Sequence, residues 1–158
     1  MKIINNFLKK EEFKKIQLMF FDQFFPWYIQ DGVNLSNDGH RQFCHTFFAP
    51  ELYVNSSYFN FIKPILNNLK IKSLIRVKAN LLYKTNKIIE HGYHTDFDYN
   101  NTTAIFYINT NNGYTKFKNK KICESEENKL VCFDSKLEHT GSTCTDEDFR
   151  IVLNLNYF

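Results

Sequence analysis

Apolar residues recur at spacings of three and four along Phe13, Ile16, Met19 and Phe20, so the segment from about Lys9 to Phe21 reads as an amphipathic helix. Lys9, Lys10, Lys14 and Lys15 cluster there with Glu11 and Glu12 among them, as the solvated face of such a helix does. A short apolar start, Ile3 and Ile4, precedes it. Asp31-Gly32 and Asn37-Asp38-Gly39 are turn signals beside aromatic stretches around Trp27 and from Phe43 to Phe48 that read as strands. Ser56 and Ser57 can cap a second helix running to about Leu69, which Pro64 should kink or divide because it removes a hydrogen bond. From Leu74 the texture changes to short β-rich runs separated by polar turns: Leu74 to Lys84, Tyr93 to Phe97, Thr103 to Asn109, Thr115 to Phe117, Leu130 to Phe133, Leu137 to Thr140 and Phe149 to Tyr157. The Asn- and Lys-rich stretch from Asn109 to Lys121 reads as solvated hairpin ends. Helices first and strands afterwards predict an α+β fold, with the helices packed on the outside of an antiparallel sandwich or barrel.

Composition narrows this picture. At 158 residues and 43% hydrophobic the chain fits one domain, and 17 Phe and 9 Tyr against 5 Gly and 3 Pro argue for a packed body rather than a disordered or fibrous one. The net charge of +3 is spread along the sequence and makes no case for a nucleic-acid or anionic-membrane partner. No apolar run approaches the roughly 20 residues that span a bilayer, and MKIINNFLKKEEF lacks the apolar core and cleavage site of a signal peptide. The expectation is a soluble, cytoplasmic protein. Cys44, Cys123, Cys132 and Cys144 form no C-x-x-C pair, so neither a zinc cage nor a redox dithiol is indicated and reduced packing thiols are expected.

Candidate chemistry gathers in the β-rich half. His94 and Asp96 stand two residues apart in a run that reads as a strand, so both side chains leave one face and can meet one ion. A third ligand from a distant strand would complete the two-His-one-carboxylate triad that leaves positions open on Fe(II). His139, in Lys136-Leu137-Glu138-His139-Thr140, fits that requirement. Arg150 stands near the start of the last strand, where a turn of Ser142 to Asp148 would set it and His139 on adjacent antiparallel strands. Its guanidinium can bind a carboxylate through two parallel hydrogen bonds, and a buried arginine without an anion is costly. Alternation puts Val152 and Asn154 on the face of Arg150, and Ile151, Leu153 and Leu155 on the other.

These residues, together with Asn112-Gly113-Tyr114-Thr115-Lys116-Phe117, resemble the 2-oxoglutarate and Fe(II)-dependent oxygenases, and most of all their prolyl hydroxylase-like branch. The likeness lies in the H-x-D of His94-Thr95-Asp96, the later His139, Arg150 beyond it, and a G-G-x-T-x-F-like element. It covers roughly Leu74 to the C-terminus. The resemblance implies a double-stranded β-helix (jelly roll, cupin-like), with helical support over about 1–73 and a jelly-roll core over about 74–158. It implies Fe(II) on His94, Asp96 and His139, 2-oxoglutarate on Arg150, and O2 as co-substrate, with ascorbate as an auxiliary reductant. Tyr107 would help Arg150 hold the distal carboxylate, Tyr83 would reach the cosubstrate pocket, and Ile105 and Thr115 would line it. The reaction implied is hydroxylation of a C–H bond coupled to decarboxylation of 2-oxoglutarate to succinate, with a peptidyl proline as the leading substrate. The sequence departs from the pattern in Asn112 before Gly113 and in the Lys- and Ile-rich loop from Thr85 to Tyr93, positions that face substrate in such folds. A free amino acid, nucleobase or other small molecule therefore stays open as substrate.

The alternatives are a cupin-type metal-binding jelly roll without oxygenase activity, in which no arginine need enter the barrel, and an interaction domain with accidental histidines. His91 differs in parity from His94 and Asp96 and is expected off their face and exposed. His40 and His45 read as structural, Trp27 as core, and Asp98 as no part of the ligand set.

Overall fold

The computed structural model describes residues 1–34 and 39–158. In chain order it builds β1 (Lys2–Ile4), α1 (Lys10–Phe21), β2 (Tyr28–Asp31), β3 (Arg41–Ala49), β4 (Val54–Asn55), α2 (Lys63–Leu69), β5 (Leu74–Tyr83), β6 (Thr102–Tyr107), β7 (Tyr114–Phe117), β8 (Ile122–Glu124), β9 (Leu130–Asp134), β10 (His139–Gly141) and β11 (Phe149–Tyr157). The strands form two antiparallel sheets. The larger runs β1-β9-β6-β11-β5-β3-β2, with β4 paired to β3, and the smaller runs β10-β7-β8. This is the expected α+β jelly roll with its helices on the outside.

Period-two alternation explains how one strand serves two layers. On β11, Ile151, Leu153 and Leu155 enter the cluster that joins the large sheet to α1 through Phe13, Ile16 and Phe20. Val152 instead belongs to a second cluster between the sheets, with Ile105, Tyr107, Phe117, Cys123, Val131 and Phe133. The wholly buried Phe106 lies edge-on to Phe7 and Phe13, with ring centroids 5.9 and 6.0 Å away. Pro64 divides the second helical segment as its missing N–H requires: a 3-10 turn over Phe59–Ile62 ends where α2 begins, and Pro64 sits in the first turn of α2.

Several expectations need correction. Residues 1–73 are more than helical support, since β1 closes one edge of the large sheet against β9 and β2, β3 and β4 extend the other. Tyr93 to Phe97 forms no strand; only an isolated bridge, His94 to His139, survives there. Asn109 and Asn111 are buried rather than solvated, and the Asn109 amide acts as a splice: its Nδ2 donates to the Phe149 carbonyl (2.8 Å) and its Oδ1 accepts from the Ile151 N–H (2.9 Å). Gly32 and Gly39 have φ of 84° and 81°, as turn glycines do, while Asn37 and Asp38 lie outside the described residues. All four cysteines are free. Among the described residues no helix is long and apolar enough to cross a membrane.

Phe106 ties the helix layer to the sheet, so Phe106→Ala is expected to lower unfolding free energy by about 3–5 kcal/mol. Urea denaturation followed by far-ultraviolet circular dichroism would measure it, and a loss under about 1 kcal/mol, within the range of ordinary surface changes, would contradict this packing.

Candidate metal centre and its cavity

The centre is assembled by main-chain pairing that fixes three side chains before any ion is considered. His94 and His139 exchange reciprocal N–H···O bonds of 3.0 Å, and the Asp96 N–H donates to the Ser135 carbonyl at 3.1 Å. His139 opens β10, which pairs with β7 so that His139 lies opposite Phe117. The imidazole nitrogens of His94 and His139 and a carboxylate oxygen of Asp96 then lie within 4.8 Å of one another. His139, distant in sequence as expected of a third ligand, is thus a direct neighbour of His94 through an isolated antiparallel bridge.

His139 and Asp96 are each oriented by further contacts, whereas the buried Nδ1 of His94 has no hydrogen-bond partner among the described residues. The His139 Nδ1 lies 2.9 Å from the Leu137 carbonyl, which makes it the donor and leaves Nε2 with its lone pair. Burial, seconded by the neighbouring His94, pushes the His139 pKa below the ordinary histidine value despite Asp96, favouring the neutral form that binds metal. Phe133 packs edge-on to the His139 ring at 4.7 Å. The Asp96 side chain is 4% exposed; its Oδ2 accepts from Thr103 (2.8 Å) and Asn156 (2.9 Å), while Oδ1 faces Arg76 (3.4 Å) and His94 Nε2 (3.9 Å). Burial pushes the Asp96 carboxyl up, but His139, Asn156, Arg76 and Thr103 together outweigh it and hold the group below the usual carboxylate range. Two imidazoles and one ionised carboxylate make a donor set suited to a borderline divalent cation with open positions.

The three ligand candidates line a cavity of about 430 Å³, and so do Arg150, Ile105 and Thr115. Arg150 is 3% exposed, donating from Nε to Ser125 Oγ (2.7 Å) and from NH2 to Thr115 Oγ1 (3.2 Å), with its guanidinium carbon 5.7 Å from the Tyr107 ring centroid. Burial lowers its pKa, and among the described residues no carboxylate pairs with it. Tyr107 is fully buried beneath it; its hydroxyl donates to Thr115 Oγ1 at 2.9 Å, and burial drives the phenol pKa up. Gly113 makes room for the arginine, because a Cβ there would stand 2.6 Å from Arg150 Cδ and 2.8 Å from the Thr143 carbonyl oxygen.

Tyr83 is not brought to this cavity. Arg76, Lys78, Asn80 and Leu82 of β5 line it, so the odd-numbered Tyr83 points to the opposite face, where it is 52% exposed and packs edge-on to Phe43. His139 and Arg150 are not on adjacent strands either. β10 belongs to the small sheet and β11 to the large one, and residues 142–148 cross between them. His91 is buried at 7% rather than exposed, stacking edge-on against His40, because the irregular backbone here does not keep strand parity. Asp98 is exposed and stands outside the ligand group, while His45 is held between the Pro26 carbonyl and Ser56 Oγ. Trp27 packs partly buried against Phe20 and Phe25. Sequence reasoning missed Arg76, Thr103, Asn156 and Ser125. Asn156 could have been found, since it shares the parity of Arg150 on β11.

No protein-family model and no curated protein matches the sequence. Solved structures do match by shape. A prolyl hydroxylase from Trichoplax adhaerens, in complex with a peptide fragment of the hypoxia inducible factor oxygen degradation domain, superposes with TM-score 0.71 and 15% identity over 99% of this chain and 82% of its own. The viral collagen prolyl hydroxylase of Paramecium Bursaria Chlorella virus-1, in its 2-oxoglutarate complex, gives 0.63 and 13% over 99% and 94%. A non-haem α-ketoglutarate-dependent carbocyclase from nogalamycin biosynthesis gives 0.69 and 8% over 98% and 78%. The chain therefore has the double-stranded β-helix fold of the 2-oxoglutarate and Fe(II)-dependent oxygenases.

Proposed function

We propose that this protein is a 2-oxoglutarate- and Fe(II)-dependent dioxygenase that hydroxylates a C–H bond, with a peptidyl proline as the leading substrate. One observation carries the reading: the donor set of His94, Asp96 and His139 shares its cavity with Arg150, a buried cation that no carboxylate of the described residues neutralises. A metal alone does not call for that arginine, whereas a dicarboxylate that also chelates the metal does.

In this reading His94, Asp96 and His139 would hold Fe(II), with 2-oxoglutarate and O2 as co-substrates. When bound, the ion would supply with them the oxidising power to hydroxylate an unactivated C–H bond, one oxygen atom of O2 going to the substrate and the other to the succinate formed as 2-oxoglutarate loses carbon dioxide. The chain does the positioning. Arg150 receives the distal carboxylate, and Ser125, Thr115 and the Tyr107 ring keep its guanidinium aimed without competing negative charge. Ile105, Leu82 and Val152 form the apolar part of the cavity wall and exclude water from the chelate. Thr103 and Asn156 occupy Asp96 Oδ2, so Oδ1 is the atom left to coordinate. The peptide bound to the Trichoplax relative supports a peptide substrate, and the carbocyclase relative shows that the fold also serves reactions on small molecules.

Purified protein with Fe(II), ascorbate and 2-oxoglutarate is expected to form succinate, and His94→Ala to lose both the turnover and Fe(II) uptake measured by metal analysis. Because turnover needs the right primary substrate, binding decides first: no uptake of either Fe(II) or 2-oxoglutarate by the intact protein would reject the assignment. Arg150→Ala should weaken 2-oxoglutarate binding, read by calorimetry with Mn(II) in place of iron, by about 2–5 kcal/mol while sparing metal affinity. Gly113→Ala should act in the same direction, since the added methyl displaces Arg150; unchanged 2-oxoglutarate affinity in a folded Gly113→Ala protein would show that the arginine's placement does not govern the site.

A further inference from the structure

The small sheet covers only part of the inner face of the large one. The cluster between the sheets draws its residues from β6, β7, β8, β9 and β11 and takes none from β5, β3 or β2. Past β11 the inner face turns polar. Arg76, Lys78 and Asn80 of β5, Gln42 of β3 and Gln30 of β2 line the same cavity as the ligand candidates.

Within that wall Lys78 has no carboxylate partner among the described residues, and Arg76 shares its own with the candidate metal centre. Lys78 Nζ lies 2.6 Å from the Gln30 amide oxygen, a neutral partner, and makes no ion pair among the described residues. Arg76 pairs with Asp96 through Oδ1, the carboxylate oxygen that faces His94 and that a bound metal would claim. Same-face neighbours on a strand stand about 7 Å apart, close enough to repel one another in a partly desolvated cleft. Opposite Lys78 across the β5–β11 ladder stands Asn154, whose Oδ1 is buried with no hydrogen-bond partner. Two cations beside the candidate metal centre suit an anionic ligand, and Asn154 Oδ1 offers an acceptor to any N–H or O–H group on the same molecule.

We propose that Lys78 and Arg76 bind an anionic group, a carboxylate or a phosphate, on the primary substrate, holding the reacting part of that molecule at the metal. This rests on the oxygenase reading above and narrows its substrate class: a peptidyl target would carry an acidic group beside the residue attacked. Arg150 and the dicarboxylate it receives lie at a different part of the wall, where Arg150 pairs across the ladder with Leu82 rather than with Lys78.

The test uses the intact protein loaded with Mn(II) and saturating 2-oxoglutarate without oxygen, and reads the relaxation that Mn(II) induces in probe protons. N-acetylproline is compared with N-acetylprolinamide, and phenyl phosphate with phenol. One charged probe is expected to bind about tenfold more tightly than its neutral counterpart, and the pair that does so names the source of the anion. Lys78→Gln should bring the charged probe to the level of the neutral one, and Lys78→Arg should keep the preference. Equal binding of charged and neutral probes by the unaltered protein overturns the proposal, a comparison that stands even if Lys78→Gln does not fold. A Lys78→Gln protein that loses 2-oxoglutarate affinity instead also overturns it, by assigning Lys78 to the cosubstrate. Failure to load Mn(II) and 2-oxoglutarate at all sinks the oxygenase reading itself, and this one with it.

Discussion

A guanidinium sealed inside a jelly roll has to be solvated by something, and the protein does it with neutral groups. Arg150 is met by the hydroxyls of Ser125 and Thr115 and by the face of Tyr107, and the Thr115 hydroxyl is itself fixed by the Tyr107 phenol. Neutral donors and acceptors offset only part of the cost of removing a charge from water. The rest of the site follows from this unfinished neutralisation. The backbone at Gly113 comes so close that a Cβ there would meet the arginine, and Arg150 lines the cavity that the candidate metal ligands share.

The candidate metal centre depends on a different device. His94 and Asp96, on an irregular stretch, are brought to His139 at the start of β10 by a single two-residue bridge and one further main-chain bond, rather than by a long ladder. Such a short pairing cannot hold side chains rigid alone, so orientation is passed to partners: Leu137 for His139, and Thr103 with Asn156 for Asp96. Thr103 and Asn156 come from β6 and β11, the best-buried strands of the large sheet, so Asp96, on irregular backbone, is anchored to the most regular part of the fold.

This division explains what could be read from the chain alone. Strands with strict alternation were legible: β5 and β11 were found nearly to the residue, and the two faces of β11 separate as the period-two pattern requires. That His94, Asp96 and His139 lie together, in one cavity with Arg150, was legible from residue types in order. What failed needed long-range geometry. Tyr83 was assigned to the pocket by the family resemblance, but strand register, which sets Leu82 opposite Arg150, turns the tyrosine outward. β1, β4 and β8 are two or three residues long and owe their pairing to neighbours rather than to their own sequence. Asn109 and Asn111 looked solvated because their type favours turns; their burial is stabilised by hydrogen bonds, of Asn109 to the distant Phe149 and Ile151 and of Asn111 to Asn109, Gly113 and Ser125.

The alternation on β5 completes the argument about asymmetry. Its outward residues Val77, Ala79 and Leu81 are buried against the helix layer, as in any covered sheet. A strand covered on both sides would carry apolar residues inward too, yet here Arg76, Lys78 and Asn80 take those places beside Leu82. Polar groups at such positions destabilise a core unless they are hydrogen-bonded or solvated, so the small sheet cannot extend over β5 without burying them. The boundary of the inner core at β11 is therefore set by β5's own residues, and it leaves the candidate metal centre where a packed, apolar interior meets an open, basic wall. An ion held there would face a dry, apolar side and a polar, basic one.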